Sequence, residues 1–212
     1  MTIDWFRKPD RSPADGTGNA AYNALDRHVV RGRADEVAAE LEARAWTYAD
    51  LLAESAAFAG VLRAFGVGLG DEVVVGRLPE THAALVALAA ARLGATCRYV
   101  EEVEAATVAT SSTAAVAATR PVADTGDLPV VTVDATADLS WEVVMRAGRT
   151  DPGGCADVPG DGVLAVLGER TWTLADALGA TDGAPPPAGV PLFEVGGVRL
   201  WSWTSAAHRS LP

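Results

Sequence analysis

"TYADLLAESAAFAGVLRAFGVGLGDEVVV", residues 47–75, reads as a helix, its stop and a buried strand, in that order. Thr47 stands three residues ahead of Asp50, a helix-starting box in which the hydroxyl accepts from a free backbone N–H of the first turn. Leu51, Leu52, Phe58, Leu62 and Phe65 then mark an apolar face, and Gly66 supplies a left-handed exit. Gly70-Asp71 turns the chain into Val73–Val75. That run has no polar alternation, which predicts a strand covered on both faces. Thr81 is the predicted cap of a second helix ending at Leu93, Gly94 closes it, and "TCRYV" (96–100) is the next strand. Helix, strand, helix, strand at this spacing predicts an α/β fold with a mainly parallel sheet flanked by helices.

Upstream, "NAAYNALDRHVVRG" (19–32) carries Ala21, Leu25 and Val29 at helical spacing and closes at Gly32. For "DEVAAELEARAW" (35–46) a continuing helix and a strand pair are both open, and its weak alternation favours the strands. Downstream, residues 101–123 admit an alanine-rich helix or a short helix followed by a Thr/Val strand. "LPVVTVDA" (128–135) is a strand, "DLSWEVVMRAG" (138–148) a short helix and "DPGGCADVPGDG" (151–162) a loop. "DGAPPPAGVP" (182–191) is a rigid linker. "LFEVGGVRLWSW" (192–203) is a hairpin centred on Gly196-Gly197. Three parts are expected: an arm over 1–18, an α/β subdomain over 19–183, and linker, hairpin and tail over 184–212.

One phrase occurs twice. "RAWTYADLL" (44–52) returns as "RTWTLADAL" (170–178), at a constant offset of 126 residues. The identity extends backward through Leu41/Leu167, Val37/Val163 and Asp35/Asp161. Either a strand–turn–helix element was duplicated, or an alanine-rich vocabulary met the same capping rule twice. Duplication, or convergence on one packing slot, is favoured.

The 212 residues carry a net charge of −11, and Lys8 is the only lysine. Such a surface repels phosphate backbones, which argues against nucleic acid as a partner. The longest apolar stretch, "HAALVALAAARLGA" (82–95), is too short to span a bilayer. The opening "MTIDWFRKPDRSP" has no apolar core of the secretory kind. Cys97 and Cys155 form no CxxC pair, which fits a reduced, cytoplasmic protein. His28, His82 and His208 share no metal-ligand spacing. Ser111, Ser112 and Thr113 lack the G-x-S-x-G setting of a nucleophile.

Residues 19–96 resemble the amino-terminal part of the AMP-forming acyl-CoA synthetases, closest to the short-chain branch that activates acetate and propionate. Asn19, Asn23, Leu25, Asp26, Arg27 and His28 carry the string specific to that branch. Thr47–Leu51, Gly70–Val73, Leu78–Glu80 and the close around Gly94 match motifs general to adenylate-forming enzymes. Residues 128–148 are similar to the strand and Trp-Glu helix that precede the family's ATP loop.

The resemblance implies a loop of the form T-S-G-T-T-G-x-P-K, whose small residues let backbone amides close on phosphates while the lysine neutralises charge. At that place stands "VLAVLGERTWTLADAL" (163–178), with Glu169, Arg170 and Trp172 in place of glycine and lysine. The later adenine motif, hinge and adenylation lysine have no match in these residues either, and Lys8 fills neither lysine role. The expectation is therefore a truncated subdomain without catalytic residues or a metal. It would serve as a binding, assembly or regulatory partner of a synthetase or biosynthetic complex, through a protein partner or self-association. The alternative is an ATP-independent acyltransferase or hydrolase that binds CoA or acyl-CoA. Arg120 matches an arginine that contacts a CoA phosphate in short-chain synthetases; a surface arginine ending a strand or helix is the plainer reading. Trp201 and Trp203 share a face of the last hairpin, as cover for a core edge or as an exposed patch for a partner.

Overall fold

The Thr47 box forms as its residues require. In the computed structural model, which describes residues 17–108, 113–137, 139–179 and 192–204, Asp50 N donates to Thr47 Oγ1 at 3.1 Å and Asp50 Oδ2 accepts from Thr47 N at 3.4 Å. In chain order, β1 (Thr17–Gly18) leads into a helical segment that is π-wound over Tyr22–Asp26 and α-wound as α1 (Arg27–Val30). β2 (Val37–Leu41) and β3 (Arg44–Thr47) form a hairpin that enters α2 (Tyr48–Ala64). Then come β4 (Glu72–Val75), α3 (Glu80–Leu93), β5 (Thr96–Tyr99), α4 (Ala105–Val108), β6 (Thr113–Ala118), β7 (Val130–Thr132) and α5 (Trp141–Gly148). β8 (Val158–Pro159), β9 (Val163–Leu167), β10 (Arg170–Thr173) and α6 (Leu174–Ala177) come next, and β11 (Leu192–Val195) with β12 (Val198–Trp201) make the last hairpin.

The central sheet has the order β10-β9-β5-β4-β6-β7. All its pairings are parallel except β10 against β9 at one edge. Val73, Val74 and Val75 are all fully buried because the sheet is covered on both sides of β4. Val73 and Val75 join the main core with α2 and α3, while Val74 packs with Val108, Val116 and Ala118 on the opposite face. α5 lies against α2 at a crossing that only glycine permits. A Cβ on Gly148 would collide with the Ala57 carbonyl, and one on Gly60 with the Asp151 carbonyl.

Residues 35–46 form the strand pair, and the described residues of 101–123 take a short helix (α4) and a strand (β6). The cap of α3 differs from expectation: Pro79 occupies the N-cap, and Thr81 Oγ1 instead donates to Glu42 at 2.8 Å. Glu42 is drawn there because its own N–H bonds Glu80 at 3.0 Å, tying the β2–β3 turn to the helix start. β1 and β8 pair with each other, which the loop-like sequence of both did not announce. The expected linker at 182–191 lies outside the described residues, as do Lys8, Ser111, Ser112 and His208.

The repeat is structural. β2–β3–α2 and β9–β10–α6 are both antiparallel hairpins that feed a reciprocal Thr/Asp capping box. Tyr48 N bonds Glu36 O and Ala49 N bonds Ala34 O; Leu174 N bonds Gly162 O and Ala175 N bonds Gly160 O, each pair shifted by the same offset. The burial of the second strand is the same in both copies, with the tryptophan inward.

Candidate functional site: the crevice at the strand ends

After β4 the chain passes to β5 on one side of it, then returns to place β6 on the other. The carboxyl ends of these three parallel strands splay apart at that reversal, where open α/β sheets hold ligands. A cavity of about 590 Å³ lies there, lined by residues that come directly after β4 (Gly76, Arg77), β5 (Glu101, Glu102, Glu104) and β6 (Thr119, Arg120).

Its electrostatics are mixed. Arg77 grips Glu101 through two nitrogens, Nε to Oε2 at 2.9 Å and Nη2 to Oε2 at 2.7 Å. The same guanidinium lies 4.6 Å from the Trp203 ring centroid and donates to the Thr204 carbonyl at 3.3 Å. Thr119 Oγ1 donates to the Arg77 carbonyl at 2.5 Å, which joins the ends of β4 and β6. Arg77 is thus held and neutralised. Arg120 is exposed at the rim, and it adds to the hydrogen bonds from Thr136 that hold the Asp134 carboxyl below its ordinary range. The crevice so presents three carboxylates against two guanidiniums. The acidic lip escaped the sequence reading, although "VEEVE" directly after a predicted strand was its signal.

The structure places Arg120 in this crevice, at the carboxyl end of β6. Trp201 and Trp203 are 1% and 5% exposed, so the expectation of an exposed aromatic patch is corrected. They are buried because the last hairpin packs over the carboxyl end of β5, a strand inside the sheet. Tyr99 Oη donates to the Trp201 carbonyl at 2.7 Å and Trp203 Nε1 donates to the Val100 carbonyl at 3.0 Å. Trp172 Nε1 donates to the Arg199 carbonyl at 3.0 Å, so the second copy of the repeat is fastened to the same hairpin.

The signature string near Asn19 is structural in its contacts. Asn19 Nδ2 donates to the carbonyls of Ala91, Arg92 and Ala156 at 3.0, 2.9 and 2.9 Å. Asp26 accepts both terminal nitrogens of Arg92, at 2.6 and 2.8 Å. Burial pushes the Cys155 thiol beside that pair, and the Cys97 thiol on β5, up to about 12. His82 stands edge-on to Trp141 with centroids 4.7 Å apart, and burial lowers its pKa. Among the described residues no group of three or more His, Cys, Asp or Glu is placed to hold a metal ion, and no helix is long and apolar enough to cross a membrane.

The fold is shared with parts of several solved structures, a CoA ligase among them. VinN with L-aspartate superposes with a TM-score of 0.55 over 70% of this chain and 40% of its own, at 23% identity. The anthranilate CoA ligase AuaEII with anthranoyl-AMP gives 0.56 over 74% and 32%, at 16% identity. Apo MatB from Rhodopseudomonas palustris gives 0.53 over 72% and 33%, at 17% identity. At these identities the likeness concerns the fold alone. In sequence, the acetyl-coenzyme A synthetase of Burkholderia mallei is 43% identical over 113 residues, 45% of this chain. That of Burkholderia thailandensis is 42% identical over the same length. The match spans 17% of either relative. No family model matches. Over those 113 residues the chain is similar to acetyl-coenzyme A synthetases, and its fold is similar to parts of VinN, AuaEII and MatB.

Proposed function

We propose that this chain is a non-catalytic binding module on a synthetase-like scaffold, acting as an assembly or regulatory partner of a synthetase or biosynthetic complex. The observation that carries this reading is the course of the backbone beyond β9. A phosphate loop needs several unpaired backbone N–H groups and a lysine converging on one point. Here the chain turns at Gly168-Glu169 and comes back as β10, whose backbone pairs with β9 through Arg170↔Leu167 and Thr171↔Val166. The first turn of α6 is closed by its own cap, Asp176 N to Thr173 Oγ1 at 3.2 Å. The amides at this place are spent on secondary structure.

The test has two parts. Fed ATP with acetate or propionate, the pure protein should release no pyrophosphate, and calorimetry should detect no ATP binding. Stoichiometric pyrophosphate would overturn the reading. Light scattering and co-purification from the native cell should show a dimer or a stable hetero-complex; a clean monomer without a co-purifying protein would count against the partner role.

A second reading places CoA or an acyl-CoA in the crevice, favoured by the position of Arg120 at its rim. The fit is poor for so polyanionic a ligand, because Arg77 is already neutralised and Glu102 and Glu104 repel phosphate. Calorimetry with CoA on the parent chain and on Arg120→Ala separates the two readings: binding that the substitution abolishes supports the second.

A further inference from the structure

Two segments distant in the chain meet at one imidazole. His28, on α1, is 5% exposed and stacks on Tyr48 with centroids 4.5 Å apart. Its Nδ1 is 2.9 Å from Arg33 Nη1, and its Nε2 is 3.3 Å from the carbonyl oxygen of Gly196 in the β11–β12 turn. A guanidinium offers only donors, so Nδ1 must accept. The ring proton is thereby assigned to Nε2, which donates to Gly196. Both contacts coexist only in the neutral ring and only in that tautomer.

The turn is fitted to this place. Gly196 and Gly197 hold φ of 58° and 79°, and a Cβ on Gly196 would collide with the Ala24 carbonyl and the His28 ring. We propose that His28 is an acid-sensitive latch: its neutral ring fastens the turn of the terminal hairpin to α1, and its protonation loosens that end of the hairpin.

The groups facing the ring come from every element packed on it. α1 contributes Arg27 and its C-cap Arg31, the segment before β2 contributes Arg33 and Glu36, α2 contributes the Tyr48 ring, and the hairpin contributes the Gly196 carbonyl. Burial first, and the three arginines after it, hold the ring's pKa below 6.5, against the pull of the Gly196 carbonyl. A second ring proton sets an N–H against the Arg33 guanidinium. Arg33 is the group that yields, because Glu36 already holds it, Nε to Oε2 at 2.8 Å. Arg33 also covers Tyr48, 5.4 Å from the ring centroid, so its departure admits water to the latch. The cationic ring then follows the water rather than remaining buried. The sign follows from linkage: the undocked state takes the proton more readily, so docking is intact above 6.5 and weakens as pH falls through it toward the folded pKa.

Hydrogen exchange on the intact chain tests this. After correction for intrinsic chemistry, amides of 192–204 should lose protection severalfold between pH 7.5 and 5.5, while those of β4 and β5 hold. His28→Gln should remove that pH dependence. Arg33→Gln, at an exposed site, should raise the His28 pKa seen by NMR and flatten the response without threatening the fold. A pH dependence that survives in both variants, or an imidazole that titrates at or above 6.5 in the parent chain, overturns the proposal.

Discussion

Trp46 and Trp172 occupy equivalent places in the repeat and opposite hydrogen-bonding states. They are 6% and 3% exposed. Trp172 Nε1 donates to the Arg199 carbonyl, whereas Trp46 Nε1 has no partner among the described residues. Each ring also has an arginine over it, Arg44 at 4.0 Å and Arg199 at 5.8 Å. Substituting phenylalanine removes the same atoms at both sites, so the packing loss is matched and the hydrogen bond is what differs. Trp172→Phe strips the donor from a carbonyl folded against the core, which costs about 1 kcal/mol beyond packing. Trp46→Phe removes a buried donor that has no partner among the described residues and recovers a desolvation penalty of about 1 kcal/mol. Trp172→Phe should therefore be the more destabilising by about 2 kcal/mol. Urea denaturation measures this as a lower midpoint at unchanged slope. If Trp46→Phe proves equally costly or worse, the assignment of an unpaired donor in the first copy is wrong.

Arg92→Met should destabilise the chain by about 3–5 kcal/mol, because it leaves the Asp26 carboxylate buried without its partner. Adding Asp26→Asn should restore most of that loss, read by urea titration of the three variants. Ala43→Gly should raise the melting temperature, since Glu42 and Ala43 hold φ of 50° and 61°, a conformation glycine adopts freely; the gain should be about 0.5–1 kcal/mol. Cys97 and Cys155 should resist iodoacetamide at pH 8 until urea unfolds the chain, because burial pushes both thiols up to about 12. With folded pKa values above the unfolded ones, their contribution to stability is full below about pH 8.5 and is lost as alkali ionises the unfolded thiols. Alkylation of native protein at pH 8 that is as fast as in urea would contradict this.

The sheet was legible because its strands and helices carry local signals. Val73–Val75 without alternation, Thr47 with Asp50, Gly94 and Gly196-Gly197 each state a backbone requirement within a few residues. What the sequence concealed depends on partners far along the chain. Trp201 and Trp203 looked available because alternation shows which face a side chain takes, but not what covers that face; Tyr99 and Val100 cover them. Thr81 had the residue type of a cap but was taken by Glu42, from a turn nearly forty residues earlier. Arg120 reached the crevice through the reversal of strand order around β4, which periodicity cannot report. The acidic lip opposite it came from the β5 end by the same reversal.

The repeat separates what local chemistry decides from what surroundings decide. β2–β3 stands as its own two-stranded sheet, whereas β9 is a strand of the central sheet with β10 on its edge. Yet both hairpins enter their helices through the same box and the same backbone links. Helix length, by contrast, is set by what lies beside it. α2 runs for 17 residues because α3 and α5 bury its sides, and α6 ends after 4, with Gly179 at φ 66°. Removing the cap should therefore have unequal consequences at equal chemistry. Thr47→Ala should cost about 1 kcal/mol and leave α2 folded, because burial sustains a long helix without its cap. Thr173→Ala removes the same bonds from a helix that has no length to spare. Amide exchange should then show residues 174–178 unprotected, while global stability in urea falls by about 1 kcal/mol as well. Retained protection of α6 in Thr173→Ala would mean that packing against β12, and not the box, holds the second copy in place.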